Sequence, residues 1–309
     1  MENIFLMKKI QISIFILSLF FAVISFAQAN ETTLPLSFNS GNPSPYGMAS
    51  TAVTINGKKI ALLVDLGASK EFFAVTPKAI KGIKVHFTGN KICGKSLTGK
   101  ACYPDIIIAK FKIGQFTIHN IHAALINKLW GGNSPKKIPG AFQYGVIGMK
   151  FLSQYNVLFD YPHAKLILAK HNYFPRAYRS YDWIKIPFAL DGGVMTTTQI
   201  NNHAPVKLIW DTGAVPSIIN SNNTFGSTPT HCPHDLPYPI CQKKLLKPLL
   251  YTKQFSVDGK KLPNTWFKLE KLPSFVPFTG LVGDNYFRNN LIFVNFKNKT
   301  IWIHSDVKI

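Results

Sequence analysis

Apolar residues in this chain come in short runs, such as Leu62-Leu63-Val64 and Leu208-Ile209-Trp210, and the runs are rich in Val, Ile, Phe, Thr and Tyr. Asn, Gly and Pro cut them, which is the punctuation of strands and turns. Helical periodicity is weak beyond the N-terminal segment. Only two short helices are predicted, over Met149–Gln154 and Asp284–Asn289. The expected class is all-β, and 20 prolines and 21 glycines give the many loops of paired irregular barrels. One run differs from the rest. Lys8 and Lys9 precede an apolar stretch from Ile10 to Ala27, and Ala27-Gln28-Ala29 follows. A basic start, an apolar core and small residues at a cleavage site read as a secretory signal peptide over 1–29. An uncleaved anchor is the alternative at about 18 residues, but polar residues such as Ser13 and Ser18 dilute the run. Export to the periplasm or the extracellular space is therefore expected. Residues 30–49, rich in Pro, Ser and Asn, read as an N-terminal extension, either an activation segment or a tail.

The chain repeats itself. Shifted by about 146 residues, Thr51 to Ala68 lies over Thr197 to Ala214. Both copies read as strand, Asn-containing turn, apolar strand, then Asp-x-Gly-Ala. Shifted by about 135, Val146-Ile-Gly148 lies over Leu281-Val-Gly283, and Asn156-Val-Leu-Phe-Asp-Tyr lies over Leu291-Ile-Phe-Val-Asn-Phe. A C-x8-C pair stands between these blocks in each copy. Two homologous lobes follow, at 50–170 and 186–309, joined by a linker at 171–185.

Composition narrows the chemistry. At 46% hydrophobic and 16% charged residues, the chain has ample core material and is not globally disordered. Thirty-five Lys and Arg face 14 Asp and Glu, a formal net charge of +21 that excludes an acidic, calcium-buffering protein. The lysines are scattered, mostly in turns such as Lys58-Lys59, Lys136-Lys137, Lys243-Lys244 and Lys260-Lys261. Such dispersion reads as a solvated surface that can also steer the protein to an anionic envelope surface. Export and the lack of a basic stripe with aromatics argue against nucleic acid. In an oxidising compartment, Cys93 with Cys102 and Cys232 with Cys241 read as two local disulfides. Zinc is the rival near His231, Cys232, His234 and Cys241, but His-Cys-x-His is not a standard zinc spacing. His119 and His122 read as ordinary strand residues. Neither a metal nor a cofactor is expected.

Carboxylates are scarce, so each can be weighed. Of the ten aspartates, Asp65 and Asp211 stand at equivalent positions in the two copies, each closing an apolar strand and each followed by x-Gly-Ala. An isolated charge at such a site is costly, and the glycine permits a tight turn whose N–H groups face the carboxylate. Lobes related by a pseudo-twofold axis would bring the pair face to face. Two carboxylates about 3 Å apart cannot both ionise, so one keeps a proton. Such a pair can deprotonate a water while protonating a carbonyl oxygen, which is peptide hydrolysis without a covalent intermediate. The bland alternative is that each Asp merely caps its own turn.

These motifs resemble the aspartic proteases, and the Gly-Ala after each Asp is similar to the retropepsin type. Val146-Ile-Gly148 and Leu281-Val-Gly283 resemble the family's second active-site segment, and the likeness covers most of 50–170 and 195–305. It implies a single-chain, two-lobed all-β fold of the retropepsin/pepsin-like kind with a cleft between lobes. It further implies a catalytic dyad of Asp65 and Asp211, supported by Gly67, Ala68, Thr212, Gly213, Ala214, Gly148 and Gly283. The substrate would be a peptide or protein, and the chain a monomer with pseudo-twofold lobes. One departure stands out. The family places Thr after each Asp to brace the opposite turn, and here lobe one has Leu66. A catalytically weak or inactive pseudoprotease that binds an extended peptide or envelope component is the alternative reading. The family also closes its cleft with a hairpin flap, for which the segment Cys93 to Cys102, tied by its disulfide, is the candidate; a stapled surface loop is the competing reading.

Overall fold

The computed structural model describes residues 29–38, 47–68, 73–96, 99–126, 143–222 and 249–305. Nearly all of the predicted signal segment lies outside the described residues, as do Cys232 and Cys241. Strands dominate, and the architecture is two-lobed and pepsin-like.

In the first half the elements are β1 (Glu31–Pro35), β2 (Ala49–Ile55), β3 (Lys58–Val64), β4 (Ala74–Val75), α1 (Pro77–Ile80), β5 (His86–Ser96), β6 (Gly99–Ile113), β7 (Phe116–Leu125), β8 (Gly145–Ile147), α2 (Met149–Leu152), β9 (Asn156–Asp160) and β10 (Lys165–Ala169). Asn56 and Gly57 join β2 to β3 at φ +45° and +91°. Two left-handed residues make the tight hairpin turn whose twist matches that of the strands. The sheet runs β2-β3-β8-β4-β7-β6, and a pairing of β2 with β6 closes it into a six-stranded barrel. Val53, Ile55, Leu62, Val64, Phe73, Phe111 and Phe151 are buried within it.

The second half contributes β11 (Ile184–Pro187), β12 (Val194–Ile200), β13 (Val206–Trp210), β14 (Ile218–Asn220), β15 (Trp266–Glu270), β16 (Gly280–Val282), α3 (Asp284–Phe287), β17 (Asn290–Asn295) and β18 (Thr300–Ser305). Here β15-β14-β16-β13-β12 form the middle of an open sheet. The duplication holds at the level of pairing. In lobe one β8 lies parallel to β3 and antiparallel to β4; in lobe two β16 lies parallel to β13 and antiparallel to β14. Both expected helices form, each as a single turn.

A third sheet, β1-β10-β9-β17-β18-β11, takes strands from both halves and joins them where β9 pairs with β17. Aromatic rings knit the same junction: Phe159 and Tyr161 lie 5.5 and 5.6 Å from Phe287, which meets Trp210 at 6.1 Å. Two segments carry structure that the sequence reading left open. The start of the extension at 30–49 is not a free tail, because β1 pairs with β10 and alternates buried Thr32 and Leu34 with exposed Thr33 and Pro35. The run is short and Pro-terminated, so its period of two was masked. The linker is also ordered against the shared sheet. Phe174, Tyr178, Tyr181 and Trp183 cover Leu158, Ile167, Leu291 and Phe293, and the Tyr178 hydroxyl donates to Asp160 Oδ2 at 2.6 Å.

Candidate active site

Each aspartate is the first residue past a buried strand. Leu62, Leu63 and Val64 are fully buried before Asp65, and Leu208 and Trp210 are likewise buried before Asp211. The Asp65 N–H donates to Ile147 O (3.0 Å) and the Asp211 N–H to Val282 O (2.9 Å), so each turn is pinned to the apolar-apolar-Gly strand of its own lobe. Gly148 and Gly283, which end those strands, have almost the same backbone: φ −100°, ψ −167° and φ −104°, ψ −165°. Asp65 Oδ1 accepts from the N–H groups of Gly67 (2.9 Å) and Ala68 (3.0 Å), and Asp211 Oδ1 accepts from Gly213 N–H (2.8 Å). The two carboxyl groups face each other across the lobes, each lying against the other lobe's glycine.

Space explains the glycines. A Cβ on Gly67 would overlap the Asp211 carboxyl, and one on Gly213 would come within 2.8 Å of Asp65 Cγ. Each glycine therefore admits the opposite aspartate, a close approach that any side chain would block. Ala68 and Ala214 follow, each buried in a small apolar cluster of its own lobe.

Thr212 crosses between lobes. Its hydroxyl donates to Val64 O (2.9 Å) and accepts from Leu66 N–H (2.9 Å), so both of its partners are backbone groups of lobe one. The Leu66 side chain is fully buried and has no hydroxyl to return the contact. The brace is thus one-sided, as the residue types imply.

Burial is the main force on the dyad's protons. It pushes Asp65 well above the ordinary carboxylate range, and the facing Asp211 charge pushes the same way against the pull of the Ala68 and Gly67 N–H groups. Burial also raises Asp211, to a lesser extent, while the Gly213 N–H, the Asp65 carboxyl and the Ala214 N–H pull it down. The pair therefore holds one proton to a higher pH than two separate aspartates would.

Several supporting groups carry no sequence signal. Ser217 Oγ accepts from Gly283 N–H (2.8 Å), and Asn285 Oδ1 accepts from Ser217 N–H (2.7 Å). Asn285 Nδ2 donates to Trp266 O, which ties the loop to β15. Directly after Gly283, buried Asp284 accepts from Gly47 N–H (3.2 Å), with Arg288 Nε 3.6 Å away, and so links the end of the N-terminal extension to lobe two. The contacts of Ser217 with Gly283, of Asn285 with Ser217 and of Asp284 with Gly47 each span 66 or more positions, beyond the reach of local pattern. On the far side, β5 and β6 form a long hairpin with Cys93 opposite Cys102 in a disulfide. Their neighbours Ile92 and Tyr103, also paired, pack on the cluster that contains Ala68. The hairpin therefore abuts the Asp65 turn. Among the described residues, no group of three or more His, Cys, Asp or Glu side chains is placed to hold a metal.

Comparison with known proteins agrees with this geometry. Residues 51–151 match the family model described as aspartyl protease. No curated protein matches the sequence significantly. Among solved structures, the aspartic proteinase from Irpex lacteus matches with a TM-score of 0.58 at 11% identity, over 89% of this chain and 97% of that one. At that identity the likeness is one of fold.

Proposed function

We propose that this chain, a retropepsin/pepsin-like aspartic protease by its N-terminal family match and its two-lobed fold, is an endopeptidase whose dyad is Asp65 and Asp211. The observation that carries the reading is the reciprocal fit in which each carboxyl group lies against the other lobe's glycine. The ionised carboxylate takes a proton from a water between the two groups, and the water oxygen attacks the peptide carbon. The protonated carboxyl gives its proton to the carbonyl oxygen. In the tetrahedral adduct the C–N bond then breaks as the amine takes up the proton first removed from water, and one hydroxyl of the adduct returns its proton to the other carboxylate as the new carboxyl group forms, so the dyad again holds one proton. Gly67, Gly213 and the alanines after them shape the turns, Thr212 braces them, and Gly148 and Gly283 close the strands beneath. The substrate is an extended peptide segment or unfolded protein, met outside the cytoplasm after removal of the signal segment.

The missing hydroxyl at Leu66 favours a second reading, a pseudoprotease that binds such a segment without cutting it. Cleavage of an unfolded protein, followed between about pH 3 and 7, separates the two. For the enzyme, Asp65→Asn or Asp211→Asn lowers the rate by about 10²–10⁴-fold. Peptide binding without turnover in the parent chain establishes the pseudoprotease, and equal cutting by both Asn variants removes the dyad from either account.

A further inference from the structure

The lysines that look scattered in sequence are gathered by the fold. Asn56, in the β2–β3 turn, donates from Nδ2 to Lys84 O (3.0 Å) and from its own N–H to Lys110 O (2.8 Å), and its Oδ1 accepts from Lys110 N–H (2.7 Å). Lys58 Nζ donates to Lys78 O (3.2 Å) and Lys81 O (3.0 Å), drawing the end of α1 to the same place. Register then sets a row across the outer face of the barrel. Lys59 pairs with Thr54, Thr54 with Lys112, Lys112 with Thr117, and Lys110 with His119. Directly paired residues share a face. Lys59, Lys110, Lys112, Thr117 and His119 are exposed, whereas the alternate residues Ile55 and Phe111 are buried. At about 4.8 Å between strands, Lys59 and Lys112 stand roughly 10 Å apart. Exposed Lys81 and Lys84 flank them.

Little negative charge answers this row. Among the described residues of 47–126 and 143–170, the acids are Asp65, Asp105 and Asp160, and all three are buried. No carboxylate of the described residues lies within ion-pair distance of Lys59, Lys81, Lys84, Lys110 or Lys112. Every basic residue of this lobe other than histidine is lysine, since the chain's three arginines are Arg176, Arg179 and Arg288. Ammonium groups bind phosphate as compact point charges, without the planar, bidentate geometry that a guanidinium fork would bring to carboxylate and phosphate alike. The outward residues of the row are Lys, Thr and His. The exposed large hydrophobics among the described residues, Phe87, Leu190 and Phe275, are not part of it, so the described residues give the row no apolar anchor for a bilayer. The pad also sits at the start of β3 and Asp65 just past its end, seven residues or roughly 20 Å away.

We propose that this lysine pad docks the protein on a linear phosphate-bearing polyanion and leaves the inter-lobe cleft free. The inference does not depend on peptidase activity.

Long-chain inorganic polyphosphate is the probe, with binding read by fluorescence anisotropy across a salt series. Two triple variants of equal charge are compared: Lys59→Gln, Lys110→Gln, Lys112→Gln in the pad, and Lys253→Gln, Lys261→Gln, Lys271→Gln on exposed positions of lobe two. The pad triple is expected to bind about tenfold or more weakly, and the slope of log K against log salt to flatten by about 2. The lobe-two triple is expected to stay within about threefold of the parent. Equal losses in both triples would show diffuse charge and overturn the proposal, as would no polyphosphate binding at low salt. A third arm uses phosphatidylglycerol vesicles; tighter, pad-dependent binding to vesicles than to polyphosphate would assign the pad to a membrane and overturn it equally.

Discussion

Thr212 and Leu66 occupy matching places in the two aspartate turns, and their difference makes the turns chemically unequal. Thr212→Val keeps the shape but leaves the buried Leu66 N–H and Val64 C=O without their partner. It should destabilise the fold by about 1–3 kcal/mol, measured by urea denaturation; a change near zero would mean that the brace carries no energy. The aspartates make a prediction of opposite sign. In the unfolded chain both carboxyls titrate near pH 4, whereas burial keeps a proton on the folded pair to higher pH. The folded state therefore binds more protons in that interval. Its stability from the dyad is complete below about pH 4 and is lost as pH rises through the raised folded values. Asp65→Asn removes this loss, so it should melt above the parent at neutral pH, with the gap closing on acidification. A gap that widens toward acid would contradict the assignment. Gly67→Ala should abolish cleavage by displacing Asp211. The facing of Asp65 and Asp211 was legible in sequence because duplication singled out two aspartates among ten. Ser217, Asn285 and Asp284 were not, because a serine or asparagine reads the same whether it faces water or a distant backbone N–H.

At the scale of elements, turns distinguish the lobes more than strands do. Asn56 sits in a two-residue hairpin, while its counterpart Asn201, also at positive φ (+52°), opens a longer connection between β12 and β13. Both asparagines nevertheless bridge the same kind of neighbour, Asn56 to Lys84 and Lys110 and Asn201 to Tyr251, Lys253 and Gln254. Side-chain chemistry survived where loop length did not, and the gapless shift, which lays Asn56 over Asn202, misses the match by one residue. The hairpin β5–β6 is the other telling element. Its disulfide closes a loop of ten residues, worth about 2–3 kcal/mol in the chain-entropy model. Reduction should raise hydrogen exchange in β5 and β6 ahead of the rest of lobe one. If the hairpin serves as a flap, reduction should also alter KM for a peptide. Faster exchange with unchanged KM would leave it a stapled surface loop.

For the whole molecule, the shared sheet and the rings around Phe287 make the two halves one cooperative object. Phe287→Ala opens a cavity among Phe159, Tyr161 and Trp210 and should cost about 3–5 kcal/mol, with both lobes unfolding in a single transition. Two separate transitions would mean that the lobes are independent. The all-β, two-lobed plan was visible from punctuation and repetition. The joining sheet was not, because it pairs β9 with a strand about 130 residues later and recruits β1 from a stretch without an obvious period. That pairing bears on how the chain acquires its shape. Lobe one's outermost contribution to the sheet, β9, is synthesised long before β17 arrives to cover it, so its hydrogen-bonding edge stays open through the making of the whole second lobe. A nascent chain of this design is most vulnerable to clumping late in its synthesis, and a helper that shields β9 would improve yield more than one acting on the barrel.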